Sequence, residues 1–419
     1  MKYEPLNLGR WIIWGAMALV FIVVPLLFSG GFALTMLIQM GTMIIFALSY
    51  NMLLGQGGML SFGHAVYSGL GAYLSVHALN LIGKGAFPFP VTLLPLIGGL
   101  SGMVFGILFG YVTTRRAGTT FALISLGIGE MVFACVLMFP GFFGGEAGVS
   151  ANRVVGQPFL GVTYGPAIQV YYLVAVWCFL SIVAMFALTQ TPLGRMANAV
   201  RDNPERAEFV GYDTQKVRFI QLVLASFFAG VSGALSCINF EIVSAENVSA
   251  IRSGGVLIAT YIGGVPFFLG PILGAIVFIF FVVALSGFTK AWLLYLGLFF
   301  VTMVLYAPGG IASLLLMQIP LIRAKRLGEL AVPYALAAVA GLVAMVGLIG
   351  IVEMVYRLSE QGASTVLNVF GMAFDARTTP PWIGFALVLA AGIVALRLAS
   401  RLVGERWGAI QQDLLARQA

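Results

Sequence analysis

Charge is what this sequence has least of. Asp, Glu, Lys and Arg make up 9% of its 419 residues, where a water-soluble domain carries about 25%. With 60% hydrophobic residues and a mean hydropathy of +1.02, the chain has too little polar surface to cover a globule in water. That excludes an ordinary soluble enzyme and indicates a polytopic membrane protein. Cysteine is scarce too: Cys135, Cys178 and Cys237 all sit in apolar runs, so no disulfide framework is supported. His64 and His77 are too few and too scattered for a metal constellation. No G-x-x-x-x-G-K-[ST] loop occurs, and "GKG" at 83–85 lacks the spacing, so any ATP hydrolysis must come from another chain. The net charge of +7 does not point to nucleic acid, because the basic residues are spread between apolar spans.

What is present is a succession of apolar runs separated by turn signals. They predict segments over 11–28, 33–54, 60–80, 90–112, 119–139, 166–188, 219–238, 254–265, 268–286, 291–307, 330–352 and 382–400. The eighth is too short for a straight crossing of roughly 30 Å at about 1.5 Å per residue. It is expected to be broken, tilted or re-entrant. The start, "MKYEPLNLGR", resembles a signal-peptide n-region, but the apolar run after it is long and lacks an A-x-A site, so it reads as a retained first helix. With the N-terminus in the cytoplasm and sides alternating, sixteen basic residues fall inside and six outside, together all 22. The C-terminus is then cytoplasmic as well. The expected fold is an all-α polytopic membrane protein, a bundle of about ten core transmembrane helices with broken segments plus two extra C-terminal helices.

Gly98, Gly102, Gly106 and Gly110 recur every four residues and read as a packing seam. Two stretches break the helical pattern: "GQGGMLSFGHAVYSGLGAY" (55–73), and "YIGGVPFFLGPILGAIVF" (261–278) with Pro266 and Pro271. Interrupted segments in the two halves of a membrane chain point to a transport pathway, because backbone groups freed in lipid must find other partners. The pathway candidates are Asn51, Gln56, Gly57, Gly58, Ser61, Gly63, His64 and Tyr67. If 60–80 is helical, Ser61, His64 and Ser68 share one face; hydrogen bonding that merely glues the bundle is the competing reading. Glu130 is the only acid deep in a predicted span. At a cost of roughly 2.5–3.5 kcal/mol there, it must face the bundle or water, as a structural carboxylate or a substrate contact.

The most charged stretch is "TQTPLGRMANAVRDNPERAEFVGYDTQKVR" (189–218), between the sixth and seventh spans. Thr191 before Pro192 and Asn203 before Pro204 each predict an N-cap with proline at the first helical position, and Glu205 follows in the second first turn. Gly211 supplies a stop. Asp202, Glu205, Glu208 and Asp213 nearly cancel the local bases, which disfavours a helix lying on anionic lipid and favours docking on a cytosolic protein.

That loop, continued as "GRMANAVRDNPERAEFVGYDTQKVRFIQLVLASFFAGVSGAL", resembles the coupling segment of branched-chain amino acid permeases of ABC importers. Three further stretches fit the same family in order: "NMLLGQGGMLSFGHAVYSGLGAY" (51–73), "TTFALISLGIGEMVF" (119–133) with "GFFGGEAGVS" (141–150), and "GGVPFFLGPILGA" (263–275) with "APGGI" (307–311). The resemblance runs from about 33 to 315. It implies a permease core over 33–315 after an N-terminal segment and first helix (1–32), with 316–419 left as an extension of two helices and a cytosolic tail. Implied partners are a second related permease, two cytosolic ABC ATPases, an extracytoplasmic binding protein and membrane lipid, with no nucleic acid. This chain would bind no cofactor, ATP and Mg being held by the ATPases in a bacterial inner membrane. Carried over by the resemblance, ATPase coupling falls to Gly194, Arg195, Arg201, Asp202, Asn203, Pro204, Glu205, Ala207, Glu208 and Gly211. The solute implied is a branched-chain or other small amino acid, with urea or amides as an alternative. A proton- or sodium-coupled secondary transporter would instead use Glu130 and His64 as coupling groups. A membrane-embedded enzyme lacks any recognisable nucleophile or metal pattern.

Overall fold

The computed structural model describes residues 8–156, 161–324, 326, 328–359, 366–369 and 372–416. Among them, nine helices are long and apolar enough to cross a membrane, or ten if Trp292–Tyr306 and Gly310–Ile322 form one bent span. The chain divides into two units, Met1–Phe288 with Leu296–Ser313, and Thr289–Tyr295 with Leu314–Ala419.

Helices α1 (Leu8–Leu27), α2 (Gly31–Asn51), α3 (Ala65–Gly83), α4 (Leu94–Thr113) and α5 (Gly118–Met138) follow in order. One turn, α6 (Pro140–Phe143), leads through β1 (Val149–Ser150) to α7 (Ala167–Gln190). The short helices α8 (Pro192–Asp202) and α9 (Pro204–Phe209) then connect to α10 (Thr214–Phe240). β2 (Ile242–Val243) pairs antiparallel with β1, and α11 (Ala250–Gly263), α12 (Gly270–Ile279), α13 (Trp292–Tyr306) and α14 (Gly310–Leu316) complete the series before the C-terminal helices.

Helices α2, α3 and α10 make the centre of the first unit, burying Ile45, Phe46, Leu48, Tyr73, Leu79, Leu235 and Ile238. Lipid tails are as apolar as leucine, so these helices associate through close packing rather than water exclusion. The predicted glycine seam supplies it: α4 lays Gly98, Gly102, Gly106 and Gly110 along α10, where a methyl at Gly230 would collide with the Gly98 carbonyl oxygen. The segment expected to be broken is α11, whose 14 residues span about 21 Å. It folds back on α12, with Gly263 against the Gly270 carbonyl and Gly274 against that of Ala259. At the bend Gly264, with φ of 116°, meets the backbone of Gly309 and Gly310. Side-chain-free backbone is what lets three chain segments cross at one point.

In the second unit, α15 (Ile319–Arg323) precedes α16 (Gly328–Ser359) and α17 (Thr379–Ala416). Between the two long helices β3 (Val366–Val369) pairs antiparallel with β4 (Met372–Asp375). Gly347 meets the Leu389 backbone, Gly350 the Phe385 ring and Gly392 the Ala344 backbone, so this pair carries its own small-residue seam. Glu353 is a second acid within an apolar helix, which the shorter predicted span ending at 352 left out. Its Oε1 accepts from Thr289 Oγ1 at 2.6 Å and Tyr295 OH at 3.2 Å.

Candidate functional site: a broken helix tied to a capped loop

Helix α2 does not stop at Asn51. It loosens into a π turn over Met52–Gln56, and regular structure resumes only at Ala65, the start of α3. A π turn displaces carbonyls from their usual helical partners, and two of them, Met52 O and Gly55 O, find donors on other helices. Gln221 Nε2, on α10, donates to Met52 O at 2.8 Å and reaches Gln56 Oε1 at 3.4 Å. Arg201 Nη1, on α8, donates to Gly55 O. Beyond the turn, Phe62 N donates to Ser125 Oγ on α5 and Ala65 N to Ser253 Oγ on α11, both at 3.0 Å. Gly58, with φ of 64°, lies against the Arg201 stem, where a methyl would strike Cγ.

The pathway candidates from Asn51 to Tyr67 are brought together in this break. Asn51, Gly57, Ser61, Gly63, His64 and Tyr67 are buried, Gln56 is half-buried and Gly58 is exposed. Ser61 precedes the helix, so the expected shared face holds for His64 and Ser68 alone; the glycine-rich approach stays irregular because its amides are satisfied from other helices. His64 is fully buried and its Nε2 lies 2.9 Å from Ser49 Oγ. Ser49 gives its single hydroxyl hydrogen to Phe46 O at 2.7 Å, so Nε2 carries the imidazole proton and Nδ1 is a bare acceptor. The ring stacks on Phe46 at 5.5 Å and meets Tyr50 and Tyr67 edgewise at 5.4 and 5.8 Å. His64 Nδ1, Asn51 Oδ1 and Ser68 Oγ have no hydrogen-bond partner among the described residues. Orphaned buried polar atoms are rare in a folded chain, and each calls for an explanation beyond packing.

Glu130 does not join them. Helix α5 turns Phe121, Ala122, Ser125, Gly129, Val132 and Val136 inward, and Glu130, about 100° round from Gly129, is exposed on the outside of this chain. Of the two surroundings expected for it, the bundle or water, this chain's own bundle does not enclose it, and the helical phase that decides this is not revealed by the span as a whole.

The charged loop 189–218 forms the two capped helices expected of it. Thr191 Oγ1 accepts from Gly194 N at 3.4 Å and Asn203 Oδ1 from Arg206 N at 2.9 Å. Gly211, with φ of 95°, closes α9: its amide bonds Glu208 O at 2.8 Å and that of Tyr212 bonds Ala207 O at 3.1 Å. A third cap, Asp213, accepts from Lys216 N at 3.0 Å and starts α10. That amide, with the Lys216 ammonium beside it, holds the Asp213 carboxyl below its ordinary value. Ala197, Val200, Ala207 and Val217 pack the short helices onto the foot of α10, and Glu208 Oε1 accepts from Thr214 Oγ1 at 2.8 Å. Gly194 is buried, whereas Arg195, Asp202, Asn203, Pro204 and Glu205 are exposed. The sequence reading passed over Phe209, Val210 and Tyr212, which stand 90%, 71% and 44% exposed at the tip. Large apolar residues at the end of a capped polar loop were the available signal.

Comparison with known proteins places these features in a family. The model described as "Branched-chain amino acid transport system / permease component" matches residues 32–308. The high-affinity branched-chain amino acid transport system permease protein LivM of Salmonella typhimurium is 28% identical over 309 residues, covering 69% of this chain and 72% of that protein. LivM of Escherichia coli is 27% identical over the same shares. The fructose import permease protein FrcC of Rhizobium meliloti is 24% identical over 230 residues, 49% of this chain and 61% of that one. No solved structure matches. The matched region holds the broken α2–α3 junction, the capped loop and the α11–α12 hairpin, and ends before α14. The chain belongs to the family of branched-chain amino acid transport system permease components.

Proposed function

We propose that this chain is the translocating subunit of an ATP-driven importer of branched-chain or other small amino acids. The observation that carries the reading is the bond from Arg201 to Gly55 O, which ties the capped loop to the interrupted stretch. A loop pushed from outside the bundle then pulls on the break itself, and Gln221 transmits the same motion along α10. Phe209, Val210 and Tyr212 give a cytosolic ATPase an apolar knob to hold. ATP and Mg belong to two such ATPases, and the importer is completed by a second related permease and an extracytoplasmic receptor. Both termini face the cytoplasm of a bacterial inner membrane, the side favoured by the basic residues. Asn51, Gln56, Ser61, His64 and Tyr67 border the solute's passage with Gly57, Gly58 and Gly63. The names of the LivM relatives support an amino acid as solute.

The test is uptake of labelled leucine into proteoliposomes holding both permeases and the ATPases, with receptor outside. Accumulation is expected only with hydrolysable ATP and loaded receptor, and is indifferent to protonophores and sodium. Uptake driven by an ion gradient without ATP overturns the reading in favour of a secondary transporter. ATP-driven uptake of urea or an amide, with none of leucine, leaves the drive standing and removes the solute. Charge reversal of Glu205 and Glu208 together is expected to spare assembly and cut uptake per ATP hydrolysed.

A further inference from the structure

Helix α11 begins inside the bundle. Its N-cap, Ser249, follows a one-turn segment, Ala245–Val248, that packs on the second turn of α3, where a methyl at Gly69 would strike Val248 and the Asn247 carbonyl. The positive end of this half-length helix is tied to the break by the Ala65 N to Ser253 Oγ bond, with Ser253 buried and Ile251 on the opposite side 87% exposed. In its first turn sits Arg252. One arm is engaged, Nη1 donating to Asn247 Oδ1 at 2.7 Å, and the guanidinium carbon lies 5.8 Å from the centre of the Phe46 ring. The Nε of Arg252 is fully buried and has no acceptor among the described residues. Phe46 also carries His64, whose bare Nδ1 is the neighbouring orphan.

A guanidinium withdrawn from water without a carboxylate is costly, since its charge loses hydration and gains no counter-charge. Among the described residues no Asp or Glu pairs with it: its partners are an amide oxygen and an aromatic face. The site thus presents a fixed cation with a spare donor, a helix N-terminus aligned with it, and no anion.

We infer that Arg252, with the N-terminus of α11, is the subsite that takes the carboxylate of the transported solute. This rests on the amino-acid reading above and adds to it the atom group by which the permease itself recognises its cargo. Asn247 orients the guanidinium by holding Nη1, leaving Nε to donate to the incoming carboxylate. Lysine in its place would keep the charge but lose the planar fork.

The experiment compares wild type, Arg252→Gln, Arg252→Lys and Asn247→Asp in the complete importer, following leucine uptake and receptor-stimulated ATP hydrolysis. Arg252→Gln is expected to lower uptake at least a hundredfold and Arg252→Lys about tenfold, with stimulated hydrolysis unchanged, a split that a purely structural role would not give. Asn247→Asp sets a permanent carboxylate against Nη1 and is expected to block uptake with the arginine still present, which keeps the test open if Arg252→Gln does not assemble. Wild-type uptake in either Arg252→Gln or Asn247→Asp overturns this inference and leaves the amino-acid reading intact. A wild-type importer that carries a solute without a carboxylate overturns both.

Discussion

Replacing Arg201 by alanine tests the mechanical link on which the proposed function depends. A hydrogen bond from a charged donor to a carbonyl contributes about 1.5–3 kcal/mol. The neighbouring Arg201–Asp202 pair, with side chains 37% and 64% exposed, adds at most about 1 kcal/mol because water screens it. The loop should therefore lose about 2 kcal/mol of its hold on the break, a roughly thirtyfold rise in local opening. Two amides report it directly, those of Gly58 and Met59, bonded to Leu54 O at 3.2 Å and Leu53 O at 2.9 Å. Hydrogen exchange of the full chain in nanodiscs should show both exchanging about thirtyfold faster in Arg201→Ala, while Asp202→Ala stays within about twofold of wild type. Unchanged protection in Arg201→Ala, or an equal loss in Asp202→Ala, refutes the idea that the bond to Gly55 O joins loop to break.

Three other outcomes follow from the packing. Gly230→Ala must part α10 from the Gly98 carbonyl and should cost about 1–3 kcal/mol, whereas Gly127→Ala, with open space around it, should gain up to about 1 kcal/mol; thermal unfolding in detergent separates them. Ser49→Ala strands the buried His64 Nε2–H and should cost about 1–3 kcal/mol by the same assay. Asp213 has a depressed folded value, so its contribution to the start of α10 is present above the ordinary carboxylate range and is lost as pH falls through that value. Protection of the Lys216 amide, corrected for intrinsic exchange, should fall on acidification in wild type and hold steady in Asp213→Asn, which caps without titrating.

Hydropathy located the spans because lipid exposure imposes it residue by residue: α5 and α7 start and stop within about two residues of their predicted bounds, and α4 ends within one but starts four residues late, after a turn at Val91–Leu93. Caps were legible for the same local reason: Thr191 and Asn203 act on amides two or three residues away. The approach to α3 was misread at Ser61, since whether 60–64 is helical depends on Ser125 and Ser253, distant in sequence. Glu130 was left between bundle and water because burial depends on which side of α5 meets neighbours, and an almost uniformly apolar helix carries little phase information. Arg252 counted in the sequence only as one outer charge; its role emerges when α11 turns back into the bundle and brings it to Phe46. The Arg201–Gly55 bond was invisible for a similar reason, being a contact with backbone, which no residue pattern encodes.

At the crossing of Gly263, Gly264, Gly270 and Gly310 main chain rests on main chain. With no side-chain torsions between them, the segments have nothing that can flex to absorb a displacement, so the hairpin and the 307–311 loop must turn as one rigid block. The crossing works as a bearing rather than a spring, and any travel delivered to it arrives undiminished on the far side.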